Sequence, residues 1–225
     1  MKSFLTLTLT LFTITYLSAQ ANYFNEAYRF NKFIDQIKSP QGEQLKYTDI
    51  EGSAYLYKDF ISANIENATN LIKARYNTYT DTVELLNEDD IFELPKSIKY
   101  SRITFPNPTA VLVYMNTMDI PEGYYFELAT GTYSLYKKIK TEYREGVKAV
   151  NSFTPAILPR FINLNPIYYI KTESQFVKVS KNGKDLSSDF PEKTAVINDF
   201  VKKNKLKMNQ EHDLLRLVQF LNGSN

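Results

Sequence analysis

From Ser53 to Tyr143 the chain runs as a series of short segments in which apolar and polar positions alternate. Successive side chains of a strand point to opposite faces, so this alternation marks strands with one buried face. The pattern is plainest over Asn70–Asn87. Leu71, Lys73 and Arg75 oppose Ile72, Ala74 and Tyr76; beyond Asn77, Tyr79, Asp81, Val83 and Leu85 oppose Thr80, Thr82, Glu84 and Leu86. Asn tolerates left-handed backbone geometry, so the spacing predicts a hairpin, or one long bent strand, centred on Asn77.

Further strands are predicted at Asp59–Glu66, Ile91–Leu94, Ile98–Phe105, Ala110–Met115, Tyr124–Ala129, Tyr133–Tyr143, Ile167–Thr172 and Phe176–Ser180. Asn87-Glu88-Asp89-Asp90, Pro95, Pro106-Asn107-Pro108, Pro121-Glu122-Gly123, Gly131 and Asn182-Gly183 supply the turns between them. Strands at ~8–12-residue spacing with no helix between them predict an antiparallel sandwich or barrel-like body. Arg144–Pro166 breaks the rhythm: it holds Pro155, Pro159 and Pro166, yet also Val147, Val150, Phe153, Ile157, Leu158, Phe161, Ile162 and Leu164. Exposed apolar patches are rare, so the segment is expected to lie over the open end of the sheet; the functional alternative is a lid or contact surface.

The period changes at the two ends. Phe24, Ala27, Tyr28 or Phe30, Ile34 and Ile37 have helical spacing over Tyr23–Lys38, stopped by Ser39-Pro40-Gln41-Gly42, with Gln41–Glu51 as a polar linker. At the other end Pro191 opens a helix to Asn204 with Val196, Ile197, Phe200 and Val201 as its stripe. Asn209 is the predicted cap of a second helix, with Leu214, Leu217, Val218 and Leu221 buried and Gly223 as its stop. A link this short predicts a helical hairpin. The fold class is therefore α+β, with a mainly antiparallel β body at 52–182, a helix and linker at 22–51 and a helical hairpin at 183–225.

Met1–Ala21 reads as a signal peptide: Lys2, an apolar run over Phe4–Leu17, and Ala19-Gln20-Ala21 at the cleavage site. The run is short of the ~20 residues a spanning helix needs. An exported protein, periplasmic or secreted, with no integral membrane segment after cleavage is expected. With Cys 0 its stability rests on packing and not on disulfides. Net charge is +2, from 27 basic and 25 acidic residues, which carries no field that calls for nucleic acid.

With one histidine, His212, in the first turn of a helix and no Gly-x-Ser-x-Gly elbow, a serine-hydrolase triad is not expected. Glu88-Asp89-Asp90 lacks the spacing of a calcium loop, and no phosphate-binding glycine pattern occurs, so neither metal nor cofactor is expected. Lys202-Lys203-Asn204-Lys205-Leu206-Lys207 complements a helix C-terminus. Lys137, Lys138 and Lys140 are read as lying on one strand, on a solvent face or at a protected edge.

That leaves Arg75, Tyr76, Tyr79 and Asp81 as the candidate binding residues, with aromatic faces for stacking and two charges for polar contacts. The structural alternative is a cluster in which Asp81 accepts hydrogen bonds that fix the hairpin. Gly52-Ser-Ala-Tyr-Leu, followed by Ala74-Arg75-Tyr76-Asn77-x-Tyr79-x-Asp81-x-x-Glu84, resembles a family of uncharacterised exported bacterial proteins over roughly Gly52 to Leu221. The resemblance implies a β-rich body with a short helical tail and implies no activity. The expected function is a non-enzymatic binding or structural module with a protein or small-molecule partner. The alternative is a carboxylate-dependent hydrolase acting on an extracytoplasmic substrate such as a glycan.

Overall fold

The computed structural model describes residues 28–29, 36–38, 44–68, 70–149, 153, 155–180 and 190–223. The predicted leader at 1–21 and the Asn182-Gly183 turn lie outside them. The strands are β1 (Tyr28–Arg29), β2 (Gln36–Lys38), β3 (Gln44–Lys46), β4 (Ile61–Ile65), β5 (Ile72–Asn77), β6 (Thr82–Asn87), β7 (Asp90–Glu93) and β8 (Arg102–Pro106). They continue with β9 (Thr109–Met115), β10 (Gly123–Ala129), β11 (Ser134–Lys138), β12 (Thr141–Arg144), β13 (Arg160–Asn163), β14 (Ile167–Lys171) and β15 (Phe176–Lys178). Two α-helices follow, α1 (Thr194–Asn204) and α2 (Glu211–Leu221).

Eleven strands form one sheet in the order β1-β7-β6-β5-β4-β8-β9-β10-β11-β14-β15, and β12-β13 and β2-β3 form separate two-stranded ribbons. All of these pairings are antiparallel. Among the described residues β1 and β15 do not pair with each other, so the sheet is open and not a closed barrel.

The sheet nevertheless curls. The Tyr76 ring on β5 packs edge-on against Tyr124 and Phe126 on β10, at 6.0 and 5.9 Å between centroids, although three strands separate β5 from β10 in the sheet. Ala63, Ile65, Ala74, Tyr76, Val83, Leu85, Ile103, Phe105 and Leu112 fill this core, the apolar halves of the alternating patterns. A second core lies between the β11-β14-β15 end and the helices, where Leu135, Ile170 and Val177 meet Ile197, Leu214, Leu217 and Val218. The two helices meet through the stacked rings of Phe200 and Phe220, 3.9 Å apart. Asn222 then docks α2 on the β10–β11 turn: its Nδ2 donates to the Tyr133 carbonyl, and its Oδ1 accepts from the Tyr133 N–H, both at 2.8 Å.

Four expectations need correction. The helix expected over Tyr23–Lys38 is strand wherever that stretch is described: β1 pairs with β7, and Gln36–Lys38 pairs with Gln44–Lys46 inside the expected linker. Tyr133–Tyr143 is two strands in different sheets, broken after Lys138. Arg144–Pro166, expected to lie over the open end of the sheet, instead contributes β13, which pairs with β12, and among its described residues Phe161 is the one drawn into a core. The second helix is preceded by Gln210, not capped by the Asn209 side chain, and Asp213 accepts from the Lys207 N–H at 2.8 Å.

Candidate functional site

The β5–β6 hairpin turns through residues 78–81, just beyond the predicted centre at Asn77, and Asp81, at φ 59°, takes the left-handed position. Asn77 serves the turn through its side chain: Oδ1 accepts from the N–H groups of Tyr79 and Thr80, both at 3.1 Å. This Asx geometry offers the backbone a local alternative to the ladder. Because side chains alternate, Arg75 and Tyr76 leave the strand on opposite faces.

On Arg75's face, Glu84 is its direct cross-strand neighbour. Nε and Nη2 of Arg75 both lie 2.7 Å from Glu84 Oε2, and Nη2 also donates to the Tyr55 hydroxyl at 2.9 Å. The guanidinium is sandwiched between the rings of Tyr55 and Phe60, 3.8 and 4.3 Å from their centroids. Glu84 Oε1 accepts from the Tyr55 hydroxyl and Asn77 Nδ2, each at 3.3 Å. Glu84, fully buried, thus has four donors on its two oxygens, the arrangement that makes a buried charge tolerable.

Arg75, but not Glu84, lines a cleft of about 560 Å³ together with Gln36, Lys46, Tyr47, Tyr55 and Lys58. Tyr47 is held edge-on to Phe161 at 5.0 Å and tilted against Tyr55 at 5.9 Å. Gly52, at φ 86°, lets the wall approach Phe161 so closely that a Cβ would stand 2.7 Å from its carbonyl oxygen. Lys46 and Lys58 are exposed in the lining. Gln36 Oε1 is buried there without a hydrogen-bond partner among the described residues.

On the opposite face the Tyr76 hydroxyl donates to Asp81 Oδ1 at 2.6 Å, and Lys138 Nζ reaches the same oxygen at 2.7 Å. Lys138 also donates to the Tyr124 carbonyl at 2.9 Å, and Lys96 stands 3.4 Å from Asp81 Oδ2. Gly123, at φ 147°, leaves room for this cluster: a Cβ there would fall 2.1 Å from Asp81 Oδ2. Burial, and secondarily Asp81, pushes the Tyr76 hydroxyl well above its ordinary value. Burial pulls the Lys138 ammonium down against the opposing pull of Asp81. Lys138 is therefore neither on a solvent face nor at an edge, because β11 lies between β10 and β14, and Lys137, on the other side of the strand, pairs with Glu211 at 2.8 Å.

The four candidate residues divide accordingly. Arg75 lines the cleft; Tyr76 and Asp81 are held together across the sheet from it; Tyr79 packs on Phe161 and Tyr47 behind the cleft wall. Sequence reasoning missed Tyr47, Lys58 and Gln36, which come from segments without a clear period. Tyr55 and Glu84 lay within the motif noted above without being assigned a role. The His212 side chain is largely exposed beside Asp213. Burial lifts the half-buried Glu93 carboxyl above its usual range; Lys96 opposes this and Glu84 adds to it. Among the described residues no three His, Cys, Asp or Glu side chains gather as a metal site, and no helix is long and apolar enough to cross a membrane.

No protein-family model matches the chain, and neither a curated protein nor a solved structure matches it.

Proposed function

We propose that this is an exported, non-enzymatic binding protein whose ligand enters the cleft over Arg75. The observation that carries the reading is the cleft itself: Tyr47 and Tyr55 supply an aromatic wall, Lys46 and Lys58 supply exposed cations, and Gln36 Oε1 is an acceptor without a partner among the described residues. Binding sites are typically concave and largely preformed, with few polar groups placed among apolar ones. This chemistry suits a small molecule with one flat face, a sugar or an aromatic ring, and an acidic substituent. Exportation rests on the pattern of Met1–Ala21.

Glu84 favours binding over carboxylate-dependent hydrolysis. A general acid or base must exchange a proton with substrate, whereas both Glu84 oxygens are already engaged by Arg75, Tyr55 and Asn77. The test is a thermal-shift and calorimetric screen of sialic acid, uronic acids and aromatic carboxylates against the protein and a Lys46→Ala/Lys58→Ala variant. Both lysines are exposed, so the variant keeps the fold. At least one acid is expected to bind the parent and to lose about tenfold in affinity in the variant. Equal affinity for both proteins, or no binding by any acid, overturns the reading.

A further inference from the structure

A second cavity, of about 280 Å³, opens where separate parts of the chain meet: Thr78 beyond β5, Lys137 on β11, Asn163 on β13 and Glu211 at the start of α2 all line it. Backbone hydrogen bonds hold these parts in place. The Thr141 N–H donates to the Thr78 carbonyl at 3.0 Å, and the Leu164 N–H donates to the Lys140 carbonyl at 2.9 Å. The cavity is therefore preformed, as ligand sites at such junctions commonly are.

Its lining carries one cation and one anion, and these neutralise each other: Lys137 Nζ lies 2.8 Å from Glu211 Oε2. The hydroxyl of Tyr168, a buried residue, donates to the same oxygen at 3.1 Å and so fixes the carboxylate. Polar capacity is left over at three points. Among the described residues Glu211 Oε1 has no hydrogen-bond partner, and Lys137 spends one of its three N–H donors, on Glu211. Asn163 is tied at one end: its Oδ1 accepts from Thr141 Oγ1 at 2.8 Å, while its Nδ2 donates to no described residue. The rest of the lining is chiefly apolar, from Leu56, Ile139, Leu164 and Pro166.

We propose that this cavity binds one neutral pyranose ring. Sugar hydroxyls both donate and accept, so they can give a proton to Glu211 Oε1 and take one from Lys137 Nζ and from Asn163 Nδ2. The C–H face of the ring covers the apolar lining. Neutrality of the lining selects against a uronic acid or an amine, because neither would find a counter-charge to spare. A zwitterion would have to part Lys137 from Glu211, whereas hydroxyls use what that contact leaves free. The volume is at the small end of ligand clefts and suits a single ring. Tyr55 lines both this cavity and the Arg75 cleft, but the proposal does not rest on binding in that cleft.

The test is titration of the full chain with the methyl glycosides of glucose, galactose, mannose and N-acetylglucosamine, read by saturation-transfer NMR. At least one is expected to bind the parent at millimolar concentration. Glu211→Gln keeps the shape of the side chain and removes the charge, and is expected to lose about tenfold, the loss of a hydrogen bond to a charged group. Asn163→Ala alters an exposed side chain, so its fold is kept, and is expected to lose about fivefold. Binding of none of the four, or equal affinity in the parent and both variants, overturns the proposal. So does displacement of the glycoside by glycine, which would assign the charge pair to a zwitterion. A glycoside whose affinity follows Lys46→Ala/Lys58→Ala and neither of these variants belongs to the Arg75 cleft, and overturns it too.

Discussion

The β5–β6 hairpin carries an ion pair on each face, and the two are built on different terms. Arg75 and Glu84 sit on neighbouring strands with their side chains 11% and 1% exposed, and each Glu84 oxygen receives two donors. Asp81 lies in the β5–β6 turn and meets Lys138 from the distant β11, with a further cation, Lys96, 3.4 Å from its second oxygen. Each carboxylate has four donors and the two ion pairs have the same 2.7 Å length, so the contrast teaches that burial decides what a charge pair contributes: the Glu84 side chain is 1% exposed and that of Asp81 22%. A dry, fully bonded pair is costly to break from one side, while a wet one falls back on solvent.

Alkaline titration has the largest expected effect and acts first on the Asp81 side. Burial raises Tyr76, Tyr125, Tyr136, Tyr168 and Tyr169 above the ordinary tyrosine value of 10, Tyr168 to about 12. A group raised in the folded state contributes stability that is whole below its unfolded value and lost as pH climbs through the folded one. Lys138, lowered by burial, works in the opposite sense below its ordinary 10.5. Urea midpoints are expected to hold up to pH 10 and fall steeply between pH 10 and 12, with tyrosinate absorbance rising late. A midpoint unchanged across that window would show that the buried hydroxyls are not as dry as their surroundings imply.

Arg75→Met comes next, because it strands the Glu84 charge. A cost of about 3–5 kcal/mol in equilibrium unfolding is expected, with Arg75→Met/Glu84→Leu recovering most of it. If the double variant is no better than the single, the pair is needed for more than neutralising a buried charge. Asp81→Asn keeps the left-handed backbone accessible and removes the charge, and is expected to cost about 1–3 kcal/mol. A larger loss than that of Arg75→Met would reverse the ranking of the two sites. Lys96→Ala, an outer partner at 3.4 Å, is expected to cost under ~1 kcal/mol and to lose even that in molar salt.

Much of the fold was legible in the alternation. Ile72 to Leu86 gave two strands, and the stripe Leu214, Leu217, Val218 and Leu221 gave a helix, because in each the period runs through several residues. Gln36–Lys38 was not legible, since three residues around a single buried Ile37 have no measurable period and the flanking Phe and Ile spacing mimicked a helix. The turn was displaced because Asn77 and Asp81 both suit it, and only the pairing of Asn77 with Thr82 decides which bends. The Lys138 side was misjudged because its partner, Asp81, lies 57 positions away. The candidate site suffered likewise: Arg75 was noticed, but the rings that clamp it belong to Tyr55 and Phe60, and the cleft needs Gln36 and Tyr47 brought from segments that are distant in sequence.

An open sheet of this breadth has two rims. At one of them the outermost strand, Phe176–Lys178, is a three-residue stub. It offers an incoming chain only a few unsatisfied amides and carbonyls, with Lys178 at its end, and so makes a poor template for fibril growth. That rim is thereby guarded against edge-to-edge pairing with a second copy.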